Sequence, residues 1–182
     1  MLLFAFCSLL FNINPLQSYM DINNMNSNSK MYKKIFEILG DLTPLNADCG
    51  HLCGGACCKG DETVGMRLFP HEESTLNIKQ ASSGIRLVVC NGSCDRPNRP
   101  LACRIFPFFP TIDQNGKIYV ELDYRATTLC PMIEHCDEII FNKRFLRAVK
   151  RIGKILAKNN ECREFLYQST QEIDTYHAFL HK

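Results

Sequence analysis

Residues 41–65 read DLTPLNADCGHLCGGACCKGDETVG, and within them Cys49, Cys53, Cys57 and Cys58 follow one another as C-x3-C-x3-C-C. This stretch decides whether the chain is stapled by disulfides or organised around a metal. On a helix a four-residue step overshoots one turn by about 40°, so Cys49, Cys53 and Cys57 would project within about 80° of one another. Three thiols would then face one point. Gly50, Gly54 and Gly55 oppose a long helix, so the expectation is a short helix, started near Pro44, that runs into a wrapped loop. Small residues between ligands also let backbone N–H groups approach sulfur and stabilise thiolate charge. Adjacent cysteines such as Cys57 and Cys58 do not readily bridge each other, and Cys49 and Cys53 make a poor staple. The pattern suits thiolate ligation better than disulfides.

Moving outward, a second group follows as Cys90-x3-Cys94-x8-Cys103, then Cys130-Pro131 and Cys136, so nine of the eleven cysteines lie within residues 49–136. The two groups supply either two four-sulfur sites or one site with cysteines to spare. The candidate metal ligands are Cys49, Cys53, Cys57, Cys58, Cys90, Cys94, Cys103 and Cys130, with Cys136 in reserve. Zinc commonly takes two short C-x2-C knuckles, which are absent, whereas iron–sulfur clusters accept more irregular spacing. An iron–sulfur cluster is therefore favoured over zinc, although thiolate softness admits both. His51 and His135 neighbour ligands in sequence and are read first as surface histidines. Metal binding would contribute to folding, because the ligand-rich stretch is rich in glycine and poor in core residues.

The first quartet is followed downstream by Arg99-Pro100-Leu101-Ala102-Cys103-Arg104-Ile105-Phe106-Pro107. Together the two motifs resemble the cysteine-cluster family described as zinc- or iron-chelating, often called YkgJ-like and sometimes labelled iron–sulfur oxidoreductase. The resemblance covers about residues 46–131. It implies a metal-binding cysteine module of mostly unassigned activity. Some relatives carry that module in flagellin lysine N-methylase-like proteins, which would imply protein modification, but this chain is short and has no Gly-rich nucleotide loop. Arg99 and Arg104 flank Cys103, where guanidinium groups would offset thiolate charge. The alternative is a pair of surface salt-bridge arginines. Pro100 and Pro107 are read as structural.

The remaining sequence supports a single α+β domain over residues 31–182, with an irregular metal-stapled region (about 46–136) and a small β-hairpin packed on a C-terminal antiparallel helical pair (about 137–181). Residues 1–12 are apolar but lack a preceding basic residue, and an Asn/Ser-rich run follows. Residues 1–30 are thus read as disordered or an upstream mis-start, the first ordered element beginning near Met31, with a secretory signal at 1–20 the weaker alternative. A dozen apolar residues do not span a bilayer. The expected location is cytoplasmic.

Short strands are expected at 66–69 and 85–89, with a helical turn at 71–76. A hairpin is expected around Asn115-Gly116, where Ile118, Val120 and Leu122 alternate with polar neighbours. Pro107 and Pro110 confine its first arm to an edge or an irregular run. Residues 137–158 form a strongly amphipathic helix, apolar at Phe141, Phe145, Ala148, Val149, Ile152, Ile155 and Leu156 and basic opposite. Cys162 is read as a buried small hydrophobe on the second helix. Asp61, Glu62, Glu72 and Glu73 are read as exposed loop charges. A net charge of +2 predicts no general affinity for polyanions, so nucleic acid is an unlikely partner. The expected function is a metal- or iron–sulfur-binding protein with a redox or metal-handling task. Two alternatives are a zinc-stabilised interaction module that binds a protein through the basic helix 137–158, and a protein-modifying enzyme; whether the chain is an enzyme is left open.

Overall fold

The computed structural model describes residues 15–47, 49–58, 65–80, 84–89, 95–135 and 139–180, with 15–26 and His135 described at the backbone alone. The centre of the fold is the hairpin β4 (Phe108–Ile112) and β5 (Ile118–Leu122), paired antiparallel in register from Phe108 opposite Leu122 to Ile112 opposite Ile118. All five residues of β4 are buried. Alternation fails there because helices α5 (Lys143–Leu156) and α6 (Asn160–Leu180) both pack on this strand. The hairpin packs on the C-terminal helices as expected, β4 taking up the apolar stripe of each. Phe145, Val149, Ile152, Leu156 and Leu166 are fully buried in this core. A Cβ on Gly153 would lie 2.7 Å from both Ile118 Cγ2 and Pro110 Cβ, so the close approach of α5 to the hairpin needs glycine.

The hairpin turn differs from the expected one. Among the described residues Gly116 has positive φ (77°) and Asn115 does not. The Asp113 carboxylate accepts the backbone N–H groups of Asn115 and Lys117, and Gly116 N donates to Asp113 O at 2.9 Å. One left-handed residue suffices when an aspartate closes the loop from inside.

Helix α1 (Pro15–Leu39) begins well before Met31, so residues 15–30, expected to lack structure, continue the helix. Pro15 sits at its first position, where a missing N–H costs nothing. The Asn28 side chain accepts a hydrogen bond from Asn159, and Tyr32, Ile35 and Leu39 are buried. Helix α5 is shorter than expected: Asn142 caps it, its side chain accepting from Arg144 N and Phe145 N, and residues 139–142 are not helical.

Strands β1 (Met66–Arg67), β2 (Ile78–Gln80) and β3 (Arg86–Val88) form a second antiparallel sheet in the order β1-β3-β2. β2 was missed, and the expected helical turn at 71–76 is absent. A turn at Pro70–His71 replaces it, with His71 at φ 60°. Among the described residues the chain is thus mixed helix and strand, with two small antiparallel sheets and C-terminal helices, compatible with the α+β class. No helix among the described residues is long and apolar enough to cross a membrane.

Candidate metal centre

No helix starts at Pro44, whose carbonyl accepts Asn142 N at 2.8 Å. Helix α2 (Cys49–Cys53) instead carries a cysteine at each end and stops at Gly54 and Gly55, which adopt φ of 61° and 67°. Side chains other than glycine rarely take that left-handed conformation. The reversal is closed by Gly55 N donating to Gly50 O at 3.0 Å, and a single 3-10 turn then presents Cys57 and Cys58. Helical geometry is lost between Cys53 and Cys57, so the three-on-one-face projection does not hold across the whole quartet.

Two further segments meet this loop. Helix α3 (Leu101–Ile105) carries Cys103, and Cys130 follows α4 (Ala126–Leu129), its N–H held by Ala126 O at 2.9 Å. Cys49, Cys53, Cys57, Cys58, Cys103 and Cys130 all line one cavity of about 590 Å3. Met66, Phe106 and Met132 supply apolar wall, and Arg96, Arg99 and Arg104 supply positive charge. None of these six cysteines is joined in a disulfide.

Their mutual influence is visible in the thiol acidities. A hydrogen bond with Cys58 pushes the Cys57 thiol far up, helped by burial and by the nearby Cys58, Cys53 and Cys49. Burial pushes Cys130 up, with Cys53 adding to it against the backbone N–H groups of Met132 and Ile133. Crowded thiols resist ionising one another in the absence of a cation. A bound metal inverts that logic, since a coordinating thiol is deprotonated outright.

The donor chemistry therefore fits a soft metal or cluster, and the cavity brings donors from distant sequence together. Among the described residues, however, no three His, Cys, Asp or Glu side chains converge closely enough to hold a metal ion. Cys90, Cys94 and the reserve Cys136 lie outside the described residues. The exposed His51 lines the cavity, and the His135 side chain lies outside the described residues. Cys162 is fully buried, 3.9 Å from the Tyr32 hydroxyl on α1, and burial pushes its thiol up to about 11.

Arg104 is not the surface salt-bridge arginine of the alternative reading. Arg104 is only 9% exposed, donates to Gly40 O at 2.5 Å and lies 5.1 Å over the Phe36 ring. Arg96, which the sequence reading passed over, donates to Leu42 O at 2.6 Å. Both bonds go to carbonyls just beyond the C-terminal end of α1, where cations are favoured. Burial lowers the Arg104 pKa, and the nearby Arg96 and Arg99 lower it further. The repeated Arg-Pro pairs at 96–97 and 99–100 were the available signal for Arg96.

Glu72 was also misread. It is buried, and its two carboxylate oxygens accept Leu101 N at 2.6 Å and Phe69 N at 3.1 Å. The first of these bonds fixes the start of α3 and so the placement of Cys103. Beside the cavity, buried Asp123 accepts Arg125 Nε at 2.8 Å, orienting a further guanidinium on the wall. Comparison of the chain with protein-family models, with curated proteins and with solved structures finds no match.

Proposed function

We propose that the cavity assembles a thiolate-held metal centre and that the chain is a metal-binding cysteine-cluster protein of the YkgJ-like kind, with a redox or metal-handling role. One observation carries this reading: six cysteines outside any disulfide, drawn from α2, the turn after it, α3 and the end of α4, line a single cavity. Scattered structural cysteines have no reason to gather so. An iron–sulfur cluster bound there would supply one-electron transfer, and zinc would supply structural cross-linking.

The chain's own residues have separate tasks. Gly54 and Gly55 turn the backbone so that Cys57 and Cys58 follow α2 back toward the cavity. Met66, Phe106 and Met132 form an apolar part of the wall around the sulfurs. Arg96, Arg99 and Arg104 provide positive charge against which thiolates can form. Cys90 and Cys94 are assigned as the further ligands. The reading carries a reducing compartment with it, since ligation needs reduced cysteine, and the cytoplasm is the proposed location.

Anaerobic purification followed by metal and acid-labile sulfide analysis, alongside the visible spectrum, tests the proposal. Brown protein with labile sulfide supports the cluster, and colourless protein with stoichiometric zinc supports the zinc form. Metal-free protein with its cysteines oxidised to disulfides overturns both.

A further inference from the structure

We propose that the exposed face of α5 docks an acidic segment of a partner protein, one that presents carboxylates at helical spacing. Lys143, Arg144, Arg147, Lys150, Arg151, Lys154 and Lys158 lie between Ile139 and Asn160, and no Asp or Glu lies among them. All are exposed except half-buried Lys150. Among the described residues none of them forms an ion pair, and Lys150 has only the Tyr119 ring at 5.7 Å.

Two features argue against a merely solvated face. Lys143 and Arg144 occupy the first turn, where the helix dipole already places positive charge. Lys143–Arg147, Arg147–Arg151 and Lys150–Lys154 are like-charged pairs four residues apart, an arrangement that works against the helix. This order of charges suits an occupied surface better than an isolated one.

The occupant follows from what surrounds the stripe. Phe145, Val149, Ile152 and Leu156 on the opposite side are fully buried, so α5 has no apolar face to insert into a bilayer. The chain carries only +2 overall, so no wide positive field draws a nucleic acid. Lys143 to Lys154 rises about 17 Å, the length of three turns of a partner helix.

The test uses the full chain as purified and a fluorescent helical peptide of about 18 residues with Glu at i, i+4, i+7 and i+11. Its controls are an isomer of scrambled order, single- and double-stranded DNA of about 20 nucleotides, and phosphatidylserine vesicles. The patterned peptide is expected to bind about tenfold tighter than any control, with affinity falling as salt rises. Arg147→Glu with Arg151→Glu is expected to abolish that binding while leaving the melting temperature unchanged or raised, which separates lost binding from lost folding. Equal binding of the isomer, tighter binding of DNA or vesicles, or a variant that binds like the wild type overturns the proposal. Because the experiment needs no metal, its outcome is independent of the cavity.

Discussion

At the residue scale, Glu72 shows how a charge that reads as a loop residue becomes structural. The tetrapeptide His71-Glu72-Glu73-Ser74 has no feature that would bury one glutamate and expose its neighbour. What buries Glu72 is a backbone N–H twenty-nine residues later, at Leu101. Burial raises its pKa from 4.5 to about 7, against the hydrogen bonds of Leu101 and Phe69 and the nearby Arg86, which pull it down. The folded state therefore holds a proton that the unfolded chain releases between those values. The Glu72 contribution to stability is fully present below pH 4.5 and is lost as pH rises through about 7. Urea unfolding from pH 4.5 to 7.5 is expected to show a wild-type decline on the order of a few kcal/mol relative to Glu72→Gln, whose amide cannot titrate. Parallel profiles for the two proteins would show that the carboxylate is ionised throughout. Glu72→Ala is expected to cost more, about 2–5 kcal/mol, because two buried backbone donors lose their acceptor.

At the element scale, α5 concentrates two opposing demands in fourteen residues. Its inner face must come close to the hairpin, and Gly153 permits it. Gly153→Ala sets a helix-propensity gain of about 1 kcal/mol against a Cβ pressed 2.7 Å from Ile118 and Pro110. Since Pro110 has a rigid ring, the clash is expected to win, with a net loss of about 1–3 kcal/mol in denaturant unfolding. The outer face behaves in the opposite sense. Arg147→Glu would face Lys143, Arg144, Lys150 and Arg151 at helical spacing, and each opposite-charge pair is worth about 0.2–0.5 kcal/mol. A gain of about 1 kcal/mol is expected at low salt, fading as salt screens the pairs. A neutral or destabilising result would mean that the basic stripe is already compensated in the free protein. The helical stripe and the hairpin were legible in the sequence because their signals are local: a 3.6-residue period in one case, Asn-Gly between alternating strands in the other. The burial of every residue of β4 was not, since Phe108-Phe109-Pro110 reads the same whether one face or both are covered.

At the scale of the whole molecule, the cysteine cavity joins segments that have little else in common. Helix α2 has no buried residue of its own, and Leu52 within it is 69% exposed. The hydrophobic core thus gives this region little hold, while α3 is anchored by Leu101 and Ile105, both fully buried. The motif spacing singled out eight cysteines, and six of them line one cavity. It could not show how Arg96 and Arg104 tie that region to the end of α1, because the tie consists of bonds to backbone carbonyls. A metal bound to the folded chain and not to the unfolded one stabilises it with the logarithm of ligand excess over Kd. Loading iron with sulfide, or zinc, into reduced protein is therefore expected to raise the unfolding midpoint, and a chelator to reverse the gain. The gain should vanish in Cys53→Ser and Cys103→Ser but persist in Cys162→Ser, whose sulfur lies in the core against Tyr32 rather than in the cavity. The α2 region should respond most: amide exchange at residues 49–58 is expected to slow on loading, while β4 and α5, already packed by Phe108, Phe145 and Ile152, should change little. Uniform slowing across the chain, or slowing that survives Cys53→Ser, would place the metal somewhere other than this cavity.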